Sequence, residues 1–133
     1  MSIFKRKVTW EELKEYIRIK NTGEKQPDLY RSLVESIKYY QHKEQVGDVN
    51  SYLLTKVLRD KKYILVVNSF PYYLEDNILH YLIWIAPNYS LSSDKIKCIV
   101  EERFSDQPYL IYKNYDEYQS IKSIEHYHVF IKI

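Results

Sequence analysis

Five consecutive apolar residues, Tyr63-Ile64-Leu65-Val66-Val67, constrain this chain more than any other stretch, because they are rich in β-branched side chains, short and without helical periodicity. They read as a strand buried on both faces. The run stops at Asn68-Ser69-Phe70-Pro71-Tyr72, a turn by its Asn and Pro. A second apolar run, His80-Tyr81-Leu82-Ile83-Trp84-Ile85, then leads to Pro87.

Upstream of this point the periodicity is helical. Thr9 and Glu12 form a capping box, with Trp10, Leu13, Tyr16 and Ile17 at helical spacing. Asn21-Thr22-Gly23 separates this helix from a second, expected to start near Pro27-Asp28 with Leu29, Leu33, Ile37 and Tyr40 on one face. Gly47 ends the second helix, and Asp48 caps a third through Tyr52, Leu53, Val57 and Leu58. His42, in the polar segment Gln41-His42-Lys43-Glu44, is expected to be exposed and idle.

Downstream, Ser92 or Ser93 caps a helix carrying Ile96, Ile99, Val100 and Phe104. Pro108 precedes a strand, Tyr109-Leu110-Ile111-Tyr112, and a polar loop from Asn114 to Ser120 leads to a last strand, Glu125 to Lys132. Helices first, then strand, strand, helix, strand, strand, give an α+β fold with the helices against one face of a mainly antiparallel sheet. A length of 133 residues suits one domain over 1–133, mainly helical over 1–60 and a sheet with one helix over 61–133.

Charge and cysteine content narrow the function classes. Twenty basic and 18 acidic residues leave a net charge of +2, so no strong field exists to hold a nucleic-acid backbone, and nucleic acid is unsupported as a partner. The short basic cluster Lys5-Arg6-Lys7 reads as a solvated end. Cys98 is the single cysteine, so no intramolecular disulfide or cysteine zinc cage can form; Ile96, Ile99 and Val100 around it suggest a buried thiol. No apolar run approaches the length of a membrane span, and a reducing, cytoplasmic compartment is the expectation. Fifteen tyrosines invite a binding-surface reading, but AT-rich codons, as in many viral or parasite genomes, explain them more simply.

Chemistry concentrates at the strand ends. Side chains alternate along a strand, so His126 and His128 share one face, and Tyr127, Val129 and Ile131 take the other. Asn68, His80 and Asn114 stand at the ends of other strands and turns. Buried polar groups need partners, which suggests that this set converges at one edge of the sheet. Taken by themselves, the two imidazoles fit accident, metal binding or catalysis. A zinc site would draw on His80, His126 and His128, with water as a fourth ligand and Glu125 or Asp76 behind. That spacing is common, so no metal is assigned.

The segment Asn68-Ser69-Phe70-Pro71-Tyr72, then His80 through Pro87, then Asn114, Gln119-Ser120 or Ser123, and His126-x-His128, resembles the histidine-triad superfamily in motif and order. Asn68 to Tyr72, His80, Trp84, Ser120-Ile121 and His126-x-His128-Val129-Phe130 also resemble an uncharacterised eukaryotic and viral domain family typified by the fungal N-acetylglucosamine-induced protein. The resemblance covers roughly residues 63 to 133. It departs at three places: the third histidine falls at Phe130, the glycine before the first histidine is Leu79, and Tyr115 to Tyr118 replace a glycine-rich loop.

What the resemblance implies is a site for a nucleotide or small phosphorylated ligand. His128 would match the nucleophile that forms a covalent nucleotidyl-histidine, and His126 and His80 would orient it or contact phosphate. Asn68, Tyr72, Asn114 and Ser123 would bind substrate. Phe130 cannot assist a leaving group, and the missing glycines remove a close backbone approach to phosphate. Both losses favour the alternative, a non-catalytic interaction or regulatory module that meets a protein partner or forms a homodimer through its tyrosine-rich surface. Tyr72, Tyr73 and Trp84 also fit simple packing, and Glu75 and Asp76 fit solvated loop charges.

Overall fold

The structure, a computed structural model, describes residues 7–22, 29, 31–87, 89–113 and 124–133, the side chains of 49 and 50 excepted. Gly23 of the expected linker and Pro27-Asp28 of the expected second-helix start lie outside these residues, as do Lys5 and Arg6. So do Asn114, Gln119, Ser120 and Ser123 of the polar loop.

Helix α1 spans Trp10–Asn21. Its capping box forms as the sequence requires: the Thr9 hydroxyl accepts from the Glu12 amide at 3.1 Å, and the Glu12 carboxylate accepts from the Thr9 amide at 3.0 Å. Trp10, Leu13, Tyr16 and Ile17 are its buried stripe. Helix α2 spans Leu33–Val46, starting later than Pro27-Asp28 because Ser32 is extended and its hydroxyl accepts from the Glu35 amide. It ends where Gly47 turns to φ +68°, a conformation open to glycine.

Of the apolar face expected on the second helix, only Leu29, which lies ahead of α2, reaches the core. No residue of α2 is buried, and Leu33, Val34, Ile37 and Tyr40 are 50–77% exposed. Helix α3, Val49–Tyr52, carries Asp48 at its start, whose carboxylate accepts from the Ser51 amide. It widens into a π-helical stretch over Leu53–Leu58. Residues five apart are hydrogen-bonded neighbours there, and Leu53 and Leu58 are both buried. His42 is half-buried, not idle: its ring packs on Tyr52 at 5.1 Å and Phe70 at 5.2 Å, tying α2 to α3 and to the turn after the first strand.

Four strands follow: β1 (Tyr63–Val67), β2 (Ile78–Ile85), β3 (Tyr109–Tyr112) and β4 (His126–Lys132). They form one antiparallel sheet in the order β1-β2-β4-β3. Helix α4, Ser93–Arg103, lies between β2 and β3 in sequence, capped by Ser92. The fold is α+β.

Three expectations need correction. Helices cover both faces of the sheet: Trp10, Leu13, Ile17 and Phe130 cluster on one side, and Ile96, Ile99 and Val100 of α4 meet Ile83, Ile85, Val129 and Ile131 on the other. β1 sits at an end of the strand order, so its side chains are half-buried and Val67 is exposed. Cys98 is exposed, because the stripe of Ile96, Ile99 and Val100 turns it outward. No helix among the described residues is long and apolar enough to cross a membrane.

Candidate functional site

The two central strands bring the histidines together. In the β2–β4 register, His80 stands opposite Phe130, Leu82 opposite His128, and Trp84 opposite His126. All six point to the same face, and His80 and His128 are diagonal neighbours. The cluster therefore lies in the middle of a sheet face, not at the sheet edge. The β1–β2 turn folds Asn68 and Tyr72 over it.

A hydrogen-bonded chain joins these groups. The Tyr72 amide donates to His80 Nδ1 at 3.2 Å, so a neutral His80 carries its proton on Nε2. That Nε2 lies 2.8 Å from His128 Nδ1, which then accepts, leaving the His128 proton on its own Nε2. Asn68 holds the turn by accepting from the Phe70 amide at 2.8 Å, with its Nδ2 at 3.4 Å from His80 Nε2. His126 is set the opposite way: its Nδ1 donates to the Ile124 carbonyl at 3.2 Å, leaving a lone pair on Nε2.

Rings close the site. Phe130 stacks on His80 at 4.6 Å, Tyr72 on His128 at 5.2 Å, and Trp84 tilts against His126 at 4.6 Å. His80, His126 and His128 are 3–6% exposed. Burial drives the His80 pKa down to about 3, with the Arg31 charge adding to the effect. Burial also holds His128 well below the usual imidazole value, assisted by His80, His126 and Arg31. His126 is lowered by burial too, although the Ile124 carbonyl opposes the shift. All three imidazoles are therefore neutral near pH 7.

This arrangement decides some of the chemistry. Two nitrogens on one tetrahedral zinc stand about 3.3 Å apart, given bonds of about 2.0–2.1 Å. The 2.8 Å between His80 Nε2 and His128 Nδ1 is a hydrogen bond and too short for joint ligation. Among the described residues, no group of three or more His, Cys, Asp or Glu is arranged to hold a metal. Attack by His128 would require its Nε2 to shed a proton first, whereas His126 Nε2 already presents a lone pair.

Five of the sequence candidates meet here: Asn68, Tyr72, His80, His126 and His128. Asn114 and Ser123 lie outside the described residues. One group carried no sequence signal. Arg31, just ahead of α2, donates from Nε to the Phe70 carbonyl at 2.7 Å and lies over the Tyr72 ring at 5.8 Å. Glu75 is half-buried, and Asp76 pairs with Lys7 at the exposed surface.

Comparison with known proteins adds a family and a fold relative. A family model described as "Protein of unknown function (DUF3605)" matches residues 55–132. No curated protein matches. A solved structure, the crystal structure of HTC1, is similar with a TM-score of 0.66 at 26% identity, over 94% of this chain and 85% of that one.

Proposed function

This chain belongs to the DUF3605 family, whose description assigns no function, and we propose that it binds a nucleotide or another small phosphorylated compound at the buried histidine cluster. One observation carries the reading. Asn68, Tyr72, His80, His126 and His128, drawn from a turn and two strands, meet around a 2.8 Å His80–His128 hydrogen bond. Buried polar networks of this kind are expensive to build in a core. The resemblance of the same residues to the histidine-triad superfamily supports the ligand class. Asn114 and Ser123 are proposed to complete the substrate contacts.

Binding is the first claim and hydrolysis the second. Neutral imidazoles can donate to and accept from phosphate oxygens, and His128 is proposed as nucleophile only after losing its Nε2 proton. Calorimetric titration with AMP, ADP, ATP and sugar phosphates is expected to find at least one ligand with micromolar affinity. No heat from any of them would sink the reading. Where turnover occurs, phosphorus NMR of wild type against His128→Asn decides the nucleophile, and equal rates would remove His128 from that role.

A second reading, self-association as a non-catalytic module, is favoured by the exposed stripe Leu33, Val34, Ile37 and Tyr40. Two copies related by a two-fold axis would bury the same stripe on each other. Sedimentation velocity should then show a dimer that Ile37→Glu dissociates. A monomeric wild type at high micromolar concentration would discard this reading.

A further inference from the structure

Arg31 is held at the rim of the histidine cluster. Its Nε is spent on the Phe70 carbonyl at 2.7 Å, and its guanidinium stacks on Tyr39, 4.1 Å from the ring centroid. The same turn is pinned by Asn68 at the Phe70 amide and by His80 at the Tyr72 amide. Arg31 is thus locked to the backbone that also orients His80. Stacking fixes the plane of the guanidinium, so little side-chain freedom remains to be lost on binding.

The charge has no counterpart. Among the described residues no carboxylate pairs with Arg31, and its Nη groups have no hydrogen-bond partner. The imidazoles beside it are neutral, and the Glu35 carboxylate of α2 pairs with Lys38 at 3.8 Å, not with Arg31. A half-buried guanidinium whose Nη donors have no protein partner is free to meet an anion with both of them. The ring beneath it offers one more donor, since the Tyr39 hydroxyl is buried and has no hydrogen-bond partner among the described residues.

We propose that Arg31 is the anion anchor of this site, gripping the phosphate group of the ligand through its two Nη groups, with the Tyr39 hydroxyl beside it. The inference rests on the ligand-binding reading above and adds to it the group that selects a phosphate ester. A planar guanidinium fork meets two phosphate oxygens at once, and a dianion gains more from it than a carboxylate does. The neutral imidazoles suit this role because they add donors without adding charge. The rest of the ligand would then lie towards His128, whose Nε2 carries a proton.

The test uses the full chain with three probes at constant ionic strength: inorganic phosphate, AMP and acetate. Wild type is expected to bind AMP and phosphate and to ignore acetate. Losing charge-assisted bonds should weaken both by about 10- to 100-fold in Arg31→Gln, and by a smaller factor in Arg31→Lys, which keeps the charge without the fork. Tyr39→Phe, which keeps the stacking ring, should weaken them by only a few-fold. Arg31→Lys and Tyr39→Phe keep the assignment testable if Arg31→Gln unfolds. Wild-type binding that is unchanged in Arg31→Lys and in Arg31→Gln overturns the anchor and leaves the binding site standing. Acetate bound as tightly as phosphate overturns the choice of phosphate. A wild type that binds neither AMP nor phosphate removes both the anchor and the reading it rests on.

Discussion

Between pH 7.5 and pH 5 the protein is expected to lose much of its stability, and the cause is the histidine cluster. A buried imidazole with a lowered pKa refuses the proton that the unfolded chain accepts at about 6.5. The unfolded state therefore binds more protons below that pH, and stability falls with pH. The sign is fixed: the contribution is whole above about 6.5 and is lost as pH drops towards the folded value. For His80, with a folded pKa of about 3, the loss is about 2 kcal/mol by pH 5 and about 4 kcal/mol by pH 3. His128 and His126 are lowered as well and act in the same direction. Arg31 and Lys113 reinforce the effect, and Glu125 opposes it at His126.

Against a total stability of about 5–15 kcal/mol, such a loss is large. Urea unfolding measured from pH 8 to pH 4.5 should show a midpoint that falls steeply below pH 6.5, with more than one proton taken up on unfolding. A midpoint that stays flat from pH 7.5 to pH 5 would falsify the buried, neutral state of these rings.

Phe130→Ala is expected to cost about 3–5 kcal/mol, the range for deleting a fully buried aromatic ring. Phe130 is 0% exposed and sits in one cluster with Trp10, Leu13 and Ile17 of α1. Its ring also stacks on His80 at 4.6 Å, opposite it in the β2–β4 register. Removal opens a cavity between α1 and the sheet and withdraws the wall that holds His80 in place. The measurement belongs at pH 8, where imidazole titration adds nothing. Cys98→Ser, exposed on α4, serves as the control and should change stability by no more than about 0.5 kcal/mol. A Phe130→Ala cost below about 1 kcal/mol would show that the α1–sheet core is not packed as described.

The same residue occupies the position at which the proposed histidine-triad resemblance would require a third histidine. Where a third histidine would stand, the chain has a side chain that closes the core under α1. A further imidazole there would need its own hydrogen-bond partner in a place lined by Trp10, Leu13 and Phe130's other apolar neighbours. The two histidines that remain on β4 are satisfied separately, His128 by His80 and His126 by the Ile124 carbonyl.

Local signals were legible because they act over a few residues. The Thr9–Glu12 capping box, the Ser92 cap, the Gly47 stop and the β-branched run of β1 each form as their own chemistry requires. The alternation that places His126 and His128 on one face follows from strand geometry alone. Features that depend on distant partners are not encoded locally. α2 shows an apolar stripe, yet nothing in its pattern says whether another element will cover it. Cys98 has apolar sequence neighbours, but helix rotation turns it away from them.

The sequence by itself determined the α+β class, most of the element order and a short roster of polar residues able to do chemistry, since propensity, capping and alternation are properties of neighbouring residues. Only the tertiary structure decided that His80 and His128 are hydrogen-bonded to each other, that all three clustered imidazoles are neutral, and that Arg31 stands beside them. Those facts depend on strand register, on burial and on contacts between residues as far apart as 48 positions in the chain. No local pattern encodes such a separation, because register is set by the packing of whole strands and burial by every element that covers them.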